Sequence, residues 1–137
     1  MRVLLDAFAL IALLAEEPAA GEVEALLRRG DAAITGINLA EALDVLQRVQ
    51  GISRERLEAV TVPLVSDRMT LLAIDERIAR DAADIRARYY HRTRAPISLA
   101  DCILLAATGE DDALATADGP LIRVAEAENL KVRKLSR

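Results

Sequence analysis

Residues 3–15 read VLLDAFALIALLA, and this stretch holds the first strand, the first acid and the first helix that the sequence predicts. Val3-Leu4-Leu5 is a short apolar run typical of a buried strand, and Asp6 ends it. The apolar residues Phe8 to Ala15 continue as a helix that is too short to span a membrane. A strand, an acid and a helix in direct succession form the first unit of an alternating pattern.

The alternation of strands and helices continues along the chain. Further strands are predicted at Ala32–Thr35, Met69–Ile74 and Ala113–Thr116, with a possible edge strand around Val132. Strands that alternate with helices form parallel sheets with helices on both faces. The sequence therefore predicts one α/β domain over residues 1–137, with a central parallel sheet of four to five strands.

Capping residues and breakers set the predicted helix boundaries. Most of these helices begin at a residue whose side chain can cap the first turn, and glycines end two of them. The predicted boundaries are an opening at Pro18 and a stop at Gly30, a cap at Asn38 and a stop at Gly51, a cap at Ser53 with a kink or stop at Pro63, caps at Asp75 and Ser98, and a short helix after Pro120.

Composition limits the class of protein. Hydrophobic residues make up 53% of the chain, and with one Phe, two Tyr and no Trp the core must be aliphatic. The single cysteine, Cys102, lies in an apolar run, so we expect a small buried side chain and a reducing, cytoplasmic location. A net charge of −4 argues against a broadly basic nucleic-acid binder but does not exclude a nuclease.

Several acidic residues lie at the carboxyl ends of predicted strands or in the first turn of predicted helices. In open parallel sheets, ligands bind at the carboxyl ends of the strands. Each also has a structural explanation, because Asn38 with Glu41 and Ser98 with Asp101 have capping-box spacing and the others can be caps or turn residues. Pattern alone leaves five candidates: Asp6, Glu41, Asp75, Asp101 and Asp118.

The kind of chemistry that such a group of acids can perform is better defined than which acids belong to the group. Carboxylates that share a cleft repel each other unless a cation neutralises them, and hard oxygen ligands select magnesium or manganese. A zinc site of the usual ligand set is excluded by the single His and single Cys. Such a metal can activate water and stabilise charge on a phosphodiester.

Four short motifs occur in order along the chain. They are Val3-Leu4-Leu5-Asp6 with Ala9 to Leu14, Leu39-Ala40-Glu41, Ser98-Leu99-Ala100-Asp101 running into Leu104 to Ala107, and Leu114-Ala115-Thr116-Ala117-Asp118. With these motifs the chain resembles the PIN-domain ribonucleases, and among them the VapC-like toxins of toxin–antitoxin pairs. The resemblance covers nearly the whole length.

The resemblance implies a PIN-like three-layer α/β/α fold and a Mg²⁺- or Mn²⁺-dependent endoribonuclease. It selects Asp6, Glu41, Asp101 and Asp118 as catalytic metal ligands, with Thr116 as a supporting residue, and leaves Asp75 as a cap. It also implies an RNA substrate, a cognate antitoxin protein and a homodimer. The chain departs from many relatives at Phe8, where they carry a small hydroxyl residue.

A basic stretch precedes Ser98. We interpret Arg86, Arg88, Arg92 and Arg94 either as a solvated helix end or as RNA-backbone contacts. His91 within it is expected to be a surface residue rather than a general base. A second basic set near the end of the chain is consistent with a solvated tail: Lys131, Arg133, Lys134 and Arg137.

Two other functional classes stay open. One is a binding module that keeps the fold without catalysis, which metal-dependent RNA cleavage would separate from the nuclease. The other is a phosphotransfer domain of doubly wound type. Haloacid-dehalogenase-like phosphatases carry a second Asp two residues after the nucleophile, where this chain has Phe8.

Overall fold

The computed structural model describes all 137 residues. The strands are β1 (Val3–Leu5), β2 (Ala32–Thr35), β3 (Thr70–Leu72), β4 (Ala113–Thr116) and β5 (Lys131–Lys134). The helices are α1 (Ala7–Leu14), α2 (Ala20–Arg28), α3 (Gly36–Asp44), α4 (Arg54–Asp67), α5 (Glu76–Tyr89), α6 (Leu99–Ala107) and α7 (Gly119–Ala127). A π-helical segment, Val45–Val49, continues α3.

The five strands form one parallel sheet in the order β3-β2-β1-β4-β5. β1 lies in the centre, where Val3 pairs with Ala32 on one side and with Ala113 on the other. The predicted edge strand around Val132 is confirmed as β5. The α/β fold and the parallel sheet predicted from strand–helix alternation are therefore confirmed.

Alternate residues of each strand enter two separate cores, one on each face of the sheet. Val3 and Leu5 pack with α1, α2 and part of α4, whereas Leu4 packs with α5, α6 and α7. Both cores are almost entirely aliphatic. The small Ala and Val side chains on the sheet let the helices pack close to it. Helices on both faces give the three-layer arrangement.

The cap of α3 differs from the prediction. Thr35, the last residue of β2, caps the helix by accepting a hydrogen bond from the backbone N–H of Asn38 at 3.0 Å. Asn38 is therefore inside the first turn and fully buried, and the expected capping box with Glu41 does not form. A strand that runs directly into a helix leaves no loop for a separate capping residue, so the sequence prediction was three residues late.

Two other boundaries also differ: α4 does not stop at Pro63, and β3 is shorter than the predicted Met69–Ile74. Pro63 lies inside α4 on its exposed side, and the helix continues because Leu57, Thr61 and Leu64 bury its opposite side. β3 covers only Thr70–Leu72, since it is an outer strand that pairs on one side alone.

Cys102 has no exposed surface and no disulfide partner, as predicted. None of the helices combines the length and the apolar character needed to cross a membrane.

Candidate active site

The chain changes direction across the sheet between β1 and β4. It first builds β1, β2 and β3 outward on one side and then returns to place β4 on the other side of β1. In open parallel sheets this reversal leaves a crevice at the carboxyl ends of the two strands, where ligands bind. Asp6 directly follows β1, and Asp118 lies two residues after β4. Sheet topology therefore brings two of the predicted acids to one crevice.

Asp6 is held from two directions. Its Oδ1 accepts the backbone N–H of Ala9 at 2.9 Å, which makes it the cap of α1, and its Oδ2 accepts the hydroxyl of Thr116 at 2.5 Å. The Thr116 hydroxyl oxygen in turn accepts the backbone N–H of Asp118 at 3.0 Å. Since Asp6 is only 5% exposed, both carboxylate oxygens depend on these donors.

Asp101 and Asp118 stand at the starts of two helices on the same face of the sheet. Asp101 forms a capping box with Ser98, in which each side chain accepts the other's backbone N–H at 3.0 Å. Asp118 caps α7 by accepting the backbone N–H of Leu121 at 3.0 Å. Each carboxylate uses only Oδ2 in these bonds, so Oδ1 of each has no donor in the protein. Capping and ligand binding are thus compatible.

Glu41 approaches from the opposite face of the sheet. It lies in α3, beyond the first turn that Thr35 caps, and its half-buried carboxylate makes no hydrogen bond within the protein. Burial raises its pKa first, and the negative charges of Asp101 and Asp44 raise it further. The interaction with Asp101 connects Glu41 electrostatically to the acids at the crevice.

The charges of the four acids are coupled. Burial raises the pKa of Asp6 to about 6, with further increases from Asp101 and Asp118, while the hydrogen bonds from Thr116 and Ala9 act in the opposite direction. Burial also raises the pKa of Asp101; the hydrogen bonds with Ser98 oppose this and the charge of Asp118 adds to it. Several carboxylates therefore lie close enough to repel one another, and a bound cation would stabilise their charged forms.

Asp75 does not belong to this group. It caps α5 by accepting the backbone N–H of Ile78 at 2.8 Å, beside the outer strand β3. It is not among the charges that raise the pKa of Asp6, Glu41 or Asp101. The pattern argument could not separate Asp75 from the others because it, too, follows a strand and opens a helix.

The chemical type of the donor atoms fits a hard divalent cation. Every candidate ligand is a carboxylate, and no imidazole or thiolate competes. Burial first, and repulsion between the carboxylates second, raise the pKa of Asp6, Glu41 and Asp101, and a bound cation would oppose both effects. No three acidic, His or Cys side chains, however, take up a ligand arrangement around one point. The side chains as they stand are thus close enough to interact by charge without forming a closed coordination shell.

Asn38 is a polar residue near this region that sequence reasoning assigned only to capping. Its side-chain oxygen accepts the Thr35 hydroxyl at 2.6 Å, while its Nδ2 is the only buried side-chain N or O atom of the protein without a partner. A buried N–H without an acceptor is costly in a protein interior. Its position three residues before Glu41, in a helix that otherwise buries Ala42, was the available signal.

The basic stretch divides into two parts. Arg88 forms an ion pair with Glu128 at 2.9 Å, whereas Arg86 donates to the carbonyl of Ile97 at 3.3 Å, directly before the helix that carries Asp101. Arg92 and Arg94 are exposed and make no ion pair. The predicted set of four is therefore not one cluster.

Residues 3–127 match the PIN domain family. The fold is similar to the solved structure of VapBC2 from Rickettsia felis bound to a DNA fragment from their promoter, with TM-score 0.70, 16% identity, and coverage of 99% of this chain and 100% of that chain. DNA-bound VapBC from Salmonella typhimurium is similar with TM-score 0.70 and 20% identity, covering 98% of each chain. FitAcB from Neisseria gonorrhoeae is similar with TM-score 0.64 and 26% identity, covering 95% of each chain. No curated protein has significant sequence similarity to the chain.

Proposed function

The chain belongs to the PIN domain family, and from that premise we propose that it is a magnesium- or manganese-dependent endoribonuclease. Its catalytic and metal-binding residues are Asp6, Glu41, Asp101 and Asp118, supported by Thr116. The observation that carries this proposal is the position of Asp6 and Asp118 at the carboxyl ends of β1 and β4, where the hydroxyl of Thr116 bonds both to Asp6 and to the backbone of Asp118. The charges of Asp101 and Asp118 act on Asp6, and the charge of Asp101 acts on Glu41.

The metal would be held by carboxylate oxygens of these four acids. A bound Mg²⁺ or Mn²⁺ supplies an activated water and offsets the charge that develops on a phosphodiester during hydrolysis. The free Oδ1 atoms of Asp101 and Asp118 are the oxygens available without breaking a cap.

The protein's own contribution is the positioning of these acids. Thr116 fixes Asp6 from β4, while the caps of α1, α6 and α7 hold Asp6, Asp101 and Asp118 by backbone N–H groups that cannot move independently of the helices. The hydrogen bonds from these donors act against the increase in the pKa of Asp6 and Asp101 that burial causes. Arg86, Arg92 and Arg94 are the candidates for contact with the RNA backbone, whereas Arg88 is already paired with Glu128.

The toxin role of a toxin–antitoxin pair is a further part of the proposal. The similar solved structures are VapBC and FitAcB assemblies, and we propose a cognate antitoxin for this chain by analogy. An apolar groove of about 390 Å³ between α1 and α4, lined by Leu14, Val60 and Leu64 among others, is consistent with a partner segment. We also propose a homodimer, which light scattering would contradict if it found a monomer at all accessible concentrations.

A phosphotransfer role is disfavoured by the state of Asp6. A phosphoryl acceptor must be open to a whole phosphoryl group, which is much larger than a metal ion, but Asp6 is buried. Phe8 also occupies the position of a second acid in phosphatases of that type.

The experiment that tests the proposal is cleavage of total RNA by purified protein with Mg²⁺ or Mn²⁺, compared with chelator. We expect cleavage only with metal, and loss of cleavage in Asp101→Asn. Absence of cleavage by the wild type under all metal conditions, with intact binding of RNA, would favour the binding module without catalysis.

A further inference from the structure

The two consecutive tyrosines at the end of α5 have different environments. Tyr89 donates its hydroxyl to Glu128 at 2.7 Å and is held beside the Arg88–Glu128 ion pair. Tyr90 is 46% exposed, and the guanidinium of Arg86 lies over its ring, 4.5 Å from the ring centre. The protein thus presents an aromatic ring at its surface with a cation stacked on it.

This stack is attached to the start of the helix that carries Asp101. Arg86 donates its Nε to the carbonyl of Ile97 at 3.3 Å, and Ile97 directly precedes the cap residue Ser98. Through Arg86, Tyr90 is connected to the residue that precedes the capping box of Asp101.

The loop that follows Tyr90 is ordered and presents two further cations. His91 and Ala95 exchange backbone hydrogen bonds of 3.0 and 3.1 Å, and the His91 ring nitrogen accepts the backbone N–H of Arg94 at 3.0 Å. These bonds close the loop and leave the side chains of Arg92 and Arg94 exposed.

A third cation connects this loop to the second acid-bearing helix. Arg123 of α7 donates to the carbonyl of Arg94 at 3.2 Å, and α7 begins at its cap residue Asp118. Arg92, Arg94 and Arg123 make no ion pair, although eight other arginines of the chain do. In a protein of net charge −4, Arg92 and Arg94 lie on a loop whose backbone contacts α7, and Arg123 lies within α7, the helix that Asp118 caps.

We propose that Tyr90, Arg92, Arg94 and Arg123 form a subsite that binds single-stranded RNA next to the acid cluster. This inference rests on the proposed nuclease function and adds the form of substrate. Aromatic faces interleaved with cations bind single strands, because unpaired bases stack on the ring while the cations contact phosphates. Bases in a duplex are already stacked and paired, so a duplex gains nothing from the ring.

An acidic segment of a protein partner is the main alternative occupant. It would satisfy the three arginines, but it would have no specific use for the exposed ring of Tyr90. A test must therefore measure a signal from the Tyr90 ring as well as the affinity for RNA.

Intrinsic fluorescence provides that test, because the chain has two Tyr and no Trp. In Tyr89→Phe the only emitting residue is Tyr90. We expect a single-stranded oligonucleotide RNA, added in chelator to prevent cleavage, to quench this emission saturably, after correction for absorbance with free tyrosine amide. An RNA hairpin stem of equal length should quench only at much higher concentration. Equal quenching by the stem, or RNA binding without any change in emission, would overturn the subsite; so would equal quenching or competition by a poly-glutamate peptide.

Matched variants separate stacking from charge. Tyr90→Leu should weaken single-strand affinity roughly ten-fold while Tyr90→Phe retains it. Arg92→Gln combined with Arg94→Gln should lower affinity and reduce its dependence on salt. Arg56→Gln, which removes an exposed and unpaired arginine of α4, is the control and should change neither. Equal affinity of the Tyr90→Leu protein, with its fold verified by circular dichroism, would contradict the inference.

The outcome separates this inference from the proposed function. Binding in chelator with quenching of Tyr90, but no cleavage with metal, would support the subsite and contradict the nuclease. Metal-dependent cleavage without involvement of Tyr90 would do the reverse.

Discussion

The hydroxyl of Thr116 donates to Oδ2 of Asp6 over 2.5 Å and joins the carboxyl ends of β4 and β1. The same hydroxyl oxygen accepts the backbone N–H of Asp118. One threonine therefore positions two of the four acids, which explains why a neutral residue belongs to the candidate site.

Thr116→Val tests this role. The substitution keeps the shape but leaves the buried carboxylate of Asp6 and the N–H of Asp118 without their partner, so we expect a loss of about 1–3 kcal/mol in the free energy of unfolding. Urea denaturation of the metal-free protein at neutral pH measures it. Thr116→Ser retains the hydroxyl and should be much closer to wild type; equal losses in the two variants would show that the methyl group, not the hydrogen bond, matters.

Asp6→Asn should abolish RNA cleavage and preserve the fold. The amide keeps the shape and can still accept the N–H of Ala9, but it removes the charge that binds metal. RNA cleavage with Mn²⁺ and thermal melts with and without Mn²⁺ provide independent readouts. We expect wild type to melt higher in Mn²⁺ and the variant to respond less. Undiminished cleavage by the variant, after contaminating nuclease is excluded, would falsify the role of Asp6 as a metal ligand.

The pH dependence of stability should carry the signature of Asp6. Its folded-state pKa of about 6 lies above the ordinary value of 3.8, so the native state binds more protons than the unfolded state between these values. Its contribution to stability is therefore present at low pH and is lost as pH rises through about 6, by on the order of 2–3 kcal/mol. The measurement is the difference between wild type and Asp6→Asn in the free energy of unfolding, in chelator, from about pH 4 to about pH 7.5.

This difference should change in favour of the variant as pH rises. Subtracting the two proteins removes the contributions of other groups, such as Asp112, whose pKa is lowered by its hydrogen bonds with Arg2. A pH-independent difference would mean that the metal-free protein does not raise the pKa of Asp6.

Asp101→Asn and Asp75→Asn form a matched pair. Both residues accept a backbone N–H at the start of a helix, Asp75 as the cap of α5 and Asp101 as the partner of the cap Ser98 in the capping box. An amide oxygen can accept the same hydrogen bond, so both variants should fold normally. Only Asp101 is coupled by charge to the other acids. We therefore expect loss of metal-dependent RNA cleavage in Asp101→Asn and near wild-type cleavage in Asp75→Asn. Equal activity of the two proteins would contradict the assignment of Asp101.

Cys102 should not react with thiol reagents in the native protein. Burial, and secondarily the negative charge of Asp101, raise its pKa to about 11, and its side chain has no exposed surface. A disulfide reagent at mildly alkaline pH should modify it only in denaturant. Rapid modification without denaturant would show that α6 opens readily beside Asp101.

Local pattern predicted the strands better than the helix starts. Val3–Leu5 and Ala113–Thr116 are short, apolar and bounded by acids or loops, so their buried positions could be read directly from the sequence. Asn38 misled the prediction because an Asn beside a helical repeat is typical of a cap, whereas the preceding Thr35 ends a strand and caps the helix at once. That dual role depends on how the strand leaves the sheet.

The sequence named the residues of the candidate site but did not predict the contacts between them. Family resemblance chose among the acids, while the bond from Thr116 to Asp6 joins residues 110 positions apart and follows from strand order. The separation of Arg88 from Arg86 was equally out of reach, because it depends on Glu128 reaching back from the end of α7. Contacts of this kind require the tertiary structure.

The central position of β1 in the sheet has a consequence for folding during translation. Its neighbour β4 is made more than a hundred residues later, so the middle of the sheet cannot close while the ribosome is still translating α5 or α6. Until then Asp6 has only its local hydrogen bond from Ala9 and lacks the one from Thr116. A nascent chain therefore lacks the crevice between β1 and β4 until β4 has been made, and any fragment that stops before β4 lacks Thr116 and Asp118.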